Sequence, residues 1–137
     1  MILDVSKVAL ADGAEKAAVD VSLGTDICSS DRTVRHTQLV RRDIRDSDDI
    51  ICLCLSNGRK LCASTDQKVG MIRKNGRLCY TVLSDILPGD KIRGQCQGVE
   101  IVLNVDGVLF YPKHRVRLVR LITNKNRSFI AEGVSCR

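Results

Sequence analysis

The sequence predicts an all-β fold of many short antiparallel strands, and three observations carry that prediction. Asp12-Gly13, Asn57-Gly58, Asn75-Gly76 and Asp106-Gly107 each separate apolar stretches, and such dipeptides supply the positive φ angles of tight hairpin turns. Two Phe, two Tyr and no Trp leave Val, Ile, Leu, Ala and Cys to fill the core, a palette that favours strands. No long amphipathic helix, repeat, linker or low-complexity tract interrupts the chain.

Taken in order, residues 2–10 read as a first strand running into the Asp12-Gly13 turn, and residues 15–19 as a turn or two of helix. Residues 33–41 read as strand. The clearest hairpin joins residues 49–56 to 59–63 through Asn57-Gly58, and its stretch Ile50–Leu55 is apolar on both faces, as a central strand requires. A second hairpin runs from 68–73 through Asn75-Gly76 to 77–82. Residues 82–87 read as a helical turn stopped by Pro88. Strands at 99–104 and 108–111 flank Asp106-Gly107. Residues 115–122 alternate as far as Leu118, after which the Leu118-Val119 pair signals a bulge or an added buried face. Residues 128–131 complete the series.

At 137 residues and 44% apolar content the chain reads as a single domain, 1–137, with a genuine core. A formal charge of +6 suits an acidic partner, nucleic acid or an anionic surface. Arg41, Arg42 and Arg45 are interleaved with Asp43, Asp46, Asp48 and Asp49, while Lys113, Arg115, Arg117 and Arg120 form a second basic group. Mixed charge of this kind reads first as solvated strand faces and turns. The seven cysteines lie mostly in apolar runs and are expected as buried thiols of a reducing compartment, not as a disulfide framework. Cys52 and Cys54 share a strand face, but there is no Cys-x-x-Cys pair. The only histidines, His36 and His114, sit beside basic residues at positions expected to face solvent, so neither a metal nor a cofactor is expected. Without a signal peptide or an apolar run long enough to span a bilayer, the expectation is a soluble, non-secreted protein. It would belong to the cytoplasm or to a particle assembled there, with no membrane partner.

Val8-Ala9-Leu10-Ala11-Asp12-Gly13 is a strand ending in a turn, and residues 19–27 follow with Gly24-Thr25-Asp26. Residues 51–63 are strand, Asn-Gly turn and strand, leading into Ser64-Thr65-Asp66-Gln67. Asn75-Gly76 and Asp85-Ile86-Leu87-Pro88-Gly89-Asp90 come next, and Ser128-Phe129-Ile130-Ala131-Glu132-Gly133-Val134 comes last. In this order and spacing the blocks resemble the Hint domain, the self-splicing or self-cleaving module of inteins and hedgehog-type proteins, over nearly the whole chain. The resemblance implies a horseshoe of short antiparallel strands with pseudo-two-fold symmetry, in which residues 2–10 and 128–131 lie close together near the centre.

The resemblance also implies where chemistry would sit. Processing in the family uses a Cys or Ser that attacks the preceding carbonyl, a His from a Thr-x-x-His block that polarises or protonates that amide, and in splicing inteins a terminal Asn that cyclises. Met1 stands at the nucleophile position, where a thioether has no proton to lose and a first residue has no upstream peptide bond. Ser64 stands at the Thr and Gln67 at the His, and a carboxamide cannot shuttle a proton near neutral pH. A register shifted by one offers only Thr65 and Lys68. Arg137 ends the chain where the family has His-Asn. Cys28 is an alternative opening nucleophile, but it leaves too little chain before Ser64; a partly exposed turn position is the simpler expectation for it. Asp85 and Asp90 are expected to cap the Pro-Gly turn rather than to act as an acid and base. No phosphate-binding Gly-x-x-x-x-Gly-Lys loop occurs.

The expectation is a cleavage-incompetent Hint-like domain, not an enzyme, that serves as a structural or protein-interaction module for a protein partner or larger assembly. Because the family travels with phages and other mobile elements, the resemblance implies a phage virion component. One alternative is a basic β module binding nucleic acid through Arg115, Arg117 and Arg120, although few aromatics are available for base stacking. The other is an active autoprocessing domain, of which this chain would be a fragment or product. The strand bearing those three arginines is expected to present an edge covered by a partner or flanked by charge.

Overall fold

The computed structural model describes every residue except 32, 33, 113, 114 and 126. Fourteen strands are found among the described residues: β1 (Ile2–Leu3), β2 (Lys7–Ala9), β3 (Glu15–Ala17), β4 (Asp26–Cys28), β5 (His36–Ser47), β6 (Ile50–Leu55), β7 (Lys60–Ala63), β8 (Lys68–Ile72), β9 (Leu78–Val82), β10 (Lys91–Cys96), β11 (Val99–Tyr111), β12 (Val116–Thr123), β13 (Phe129–Ala131) and β14 (Val134–Cys136). The fold is therefore all-β, as predicted. The strands form one antiparallel path, β3-β2-β13-β14-β8-β10-β11-β6-β7-β1-β12-β5-β4, with β9 joined to β8. Both predicted helical segments shrink to single 3-10 turns, Ala18–Asp20 and Leu83–Asp85.

Two long strands carry the curvature of this path. β11 pairs with β10 over Val99 to Asn104 and then with β6 over Val105 to Tyr111. β5 pairs with β4 over its first three residues and with β12 further along. Each long strand thus leaves one neighbour and acquires another, which bends a single sheet around a shared interior. That interior is aliphatic, with Ile2, Ile27, Leu39, Leu53, Leu61, Leu83 and Ile92 fully buried. Each such side chain contributes about 1.5–3 kcal/mol relative to exposure. A smaller cluster of Ile50, Cys52 and Leu118 lies on the other face. Leu118 packs there and Val119 in the main core, so the adjacent pair marks an added buried face. The bulge in β12 falls later, between Ile122 and Thr123.

Several expectations are corrected. Residues 2–10 are two strands, because the chain turns at Asp4 to Ser6 and passes from β7 and β12 to β13. The junction with the final block stands as expected, with Val8 paired to Ala131. Asp106-Gly107 is not a turn: β11 runs through it with a bulge opposite Cys54 and Leu55, since β6 continues the pairing on the far side. β10 was not anticipated, because Gly94 and the buried Arg93 break its pattern. Gly94 is there because a Cβ would lie 2.3 Å from the Gly133 carbonyl oxygen. The strand expected at 33–41 begins at His36 and runs on to Ser47, Thr33 lying outside the described residues.

The cysteines also differ from expectation. Cys52 and Cys62 face each other in register across β6 and β7, and their sulfurs are joined in a disulfide. Of the free thiols, Cys136 is buried, Cys28, Cys54 and Cys79 are half-buried and Cys96 is exposed. Cys28 is not in a turn but ends β4, with its thiol donating to the Leu10 carbonyl at 3.3 Å.

Candidate functional site

The two ends of the chain converge on one side chain. Gln67 follows the Ser64-Thr65-Asp66 turn, where its N–H donates to the Ser64 carbonyl, and it is 5% exposed. Its Oε1 accepts a hydrogen bond from the Met1 amine at 2.7 Å, and its Nε2 donates to the Arg137 carbonyl at 3.0 Å and to that of Lys68 at 2.9 Å. β1 holds Met1 from one side and β14 holds Arg137 from the other, the Arg137 N–H donating to the Lys68 carbonyl at 3.0 Å. The sequence-predicted residues Met1, Ser64, Gln67 and Arg137 therefore form one site.

Ser64 supports both neighbours. Its N–H donates to the Met1 carbonyl at 2.9 Å. Its hydroxyl accepts from the Met1 amine at 3.1 Å and lies 2.7 Å from Asp66 Oδ1 and 3.2 Å from the Met1 carbonyl oxygen. A hydroxyl has one proton, and the shorter, charge-assisted contact to the carboxylate takes it. This hydrogen bond lowers the Asp66 pKa, helped by the Met1 ammonium. Burial lowers the amine's own pKa, which Asp66 partly offsets. Cys136, which pairs with Val69 across β14 and β8, is buried, and desolvation pushes its thiol up to about 12.

Around these groups lies a cleft of about 810 Å³, lined by Met1, Asp66, Gln67, Lys68, Val119, Arg120, Leu121, Ile122, Arg127, Phe129 and Arg137. Arg127 was missed by sequence reasoning, since the polar stretch between β12 and β13 carries no block of its own. Of the basic stripe, only Arg120 reaches this cleft; Lys113 and His114 lie outside the described residues. Arg117 sits opposite Asp46 on β5, and Arg115 lies 3.4 Å from Asp46 in an exposed pair. β5 pairs β12 along one side, and β1 pairs its other side only at Leu118 and Val119.

The remaining candidates fall elsewhere. His36 is exposed at the start of β5. Asp90 caps its turn as expected, its Oδ2 accepting the Leu87 N–H at 2.8 Å. The Cys28 thiol is raised by burial and then by Asp12, and it does not line the cleft. Among the described residues no group of three His, Cys, Asp or Glu could hold a metal ion, and no helix is long and apolar enough to cross a membrane.

No protein-family model matches the chain, and no curated protein matches it in sequence. Solved structures do match it. The TvoVMA intein aligns at a TM-score of 0.84 and 17% identity, over 98% of this chain and 95% of its own. A bacterial intein-like domain from Clostridium thermocellum aligns at 0.81 and 12%, over 99% and 96%. A DnaB intein from Synechocystis sp. PCC 6803 aligns at 0.81 and 13%, over 99% and 96%. The fold is that of intein-like Hint domains from end to end.

Proposed function

We propose that this chain is a Hint-fold domain that does not process itself and serves as a structural or protein-interaction module of a larger assembly, a phage particle being the setting the resemblance suggests. The observation that carries this reading is the occupancy of the site. Gln67 reaches the Met1 amine at 2.7 Å, where the family resemblance expects a proton-transferring imidazole. A carboxamide there binds both groups strongly and moves no proton at neutral pH. The side chain of residue 1 is a thioether, which cannot form a thioester, and Arg137 lacks the carboxamide that cyclises in splicing.

The test is a fusion of residues 1–137 between two folded reporters, incubated under reducing conditions with and without added thiol or hydroxylamine. The expected result is intact fusion by gel and mass spectrometry; spliced or cleaved products would overturn the reading. Met1→Cys combined with Gln67→His is expected to restore thiol-induced cleavage at the upstream junction, since residue 67 is already within hydrogen-bond reach of residue 1.

A further inference from the structure

One side of β12 is paired by β5 from Val116 to Thr123, but the other is paired only at Leu118 and Val119, opposite β1. Arg117 gives its carbonyl to the Asp4 N–H on that second side, so by strand alternation the N–H and C=O of Leu121 point the same way. β1 has ended by that point, and among the described residues no other strand pairs with β12 there. Residues 120–122 line the cleft, so an open sheet edge faces it.

Charge supplies a second observation. Among the described residues Lys68, Arg120, Arg127 and Arg137 line the cleft against a single side-chain carboxylate, Asp66, which is already bonded to Ser64. The Arg137 guanidinium is laid over the Tyr80 ring, 4.7 Å from its centroid. Among the described residues no ion pair engages Lys68, Arg120 or Arg127. Val119, Leu121 and Phe129 provide a buried apolar lining between these cations.

We propose that the cleft receives an extended acidic segment of a partner protein, added as a strand to the open edge of β12 with its carboxylates against Lys68, Arg120 and Arg127. Main-chain hydrogen bonds to Leu121 supply affinity, and the cations select acidic side chains and accelerate encounter. Among the described residues Phe129, which is buried, is the one aromatic side chain lining the cleft, which disfavours nucleic acid, whose bases need stacking platforms. This inference rests on the reading of the domain as a non-processing interaction module.

The probe is a fluorescein-labelled peptide of alternating Glu and Val, about ten residues long, titrated with the full chain by fluorescence anisotropy. Saturable binding that weakens with salt is expected. Arg120→Glu with Arg127→Glu should weaken it about ten-fold or more, whereas Arg45→Glu with Arg115→Glu, outside the cleft, should change it less than about two-fold. N-methylation of alternate peptide amides should weaken binding about ten-fold, and amide exchange at Leu121 should slow in the complex. Absence of saturable binding, equal effects of the two double variants, or tighter binding of a single-stranded oligonucleotide through the same arginines would each overturn the proposal. If the reporter fusions stay intact while the peptide fails to bind, this inference falls alone. Processing in the fusions would remove the reading beneath it as well.

Discussion

Gln67 illustrates how one side chain can tie a site together. Its carboxamide accepts from one chain end and donates to the other, so the side chain acts as a clamp where the family resemblance expects a proton carrier. Cys136, the residue before Arg137, makes a testable contribution of its own. Its pKa is raised from 9.0 to about 12 by burial, so the folded state holds the proton more tightly than the unfolded chain. The resulting stabilisation is complete below pH 9 and is lost as pH rises towards 12. Urea denaturation across that window should show a steep alkaline loss of stability, flattened in Cys136→Ala beyond that variant's constant cavity cost. Met1, Ser64, Gln67 and Arg137 were legible in the sequence because block order fixes their positions. Lys68 was legible only as a shifted register. Arg127, which lines the cleft from a connecting stretch, and Tyr80, which lies under Arg137 from β9, were not, since only the folded chain brings them there.

At the scale of strands, identical local signals have different outcomes depending on what lies across the sheet. Gly58 takes φ 79° and closes the hairpin between β6 and β7, as Asn-Gly predicts. Asp106-Gly107 carries the same type of signal, yet β6 keeps pairing past it, and long-range hydrogen bonds override the turn preference. β10 was hidden for a related reason: its glycine answers a neighbour distant in sequence. The Cβ of Gly94→Ala would lie 2.3 Å from a backbone oxygen, which cannot yield as a flexible side chain could. That variant should lose about 1–3 kcal/mol or more in thermal or urea denaturation, out of proportion to one added methyl group. Alanine at Gly107, whose nearest contacts are ordinary at 3.8 and 3.9 Å to Cys54, is the matched control and should lose much less.

For the molecule as a whole, fold class was readable from turn spacing and composition, whereas the path of the sheet was not, because partner exchange along β5 and β11 leaves no mark in local periodicity. The junction at Gln67 has a topological consequence. With residues 1 and 137 one carboxamide apart, the circuit of strands nearly closes on itself. Joining Arg137 to Met1 through a few flexible residues should need no rearrangement of β1 or β14. It should stabilise the fold by about 5 kcal/mol, the loop-closure figure for a ring of this order of length, measurable as a raised urea midpoint with an unchanged m-value. New ends could then be opened at the exposed Gln97-Gly98 turn between β10 and β11. A permuted chain that folds would locate the integrity of the domain in its circuit of strands, independent of where that circuit is opened.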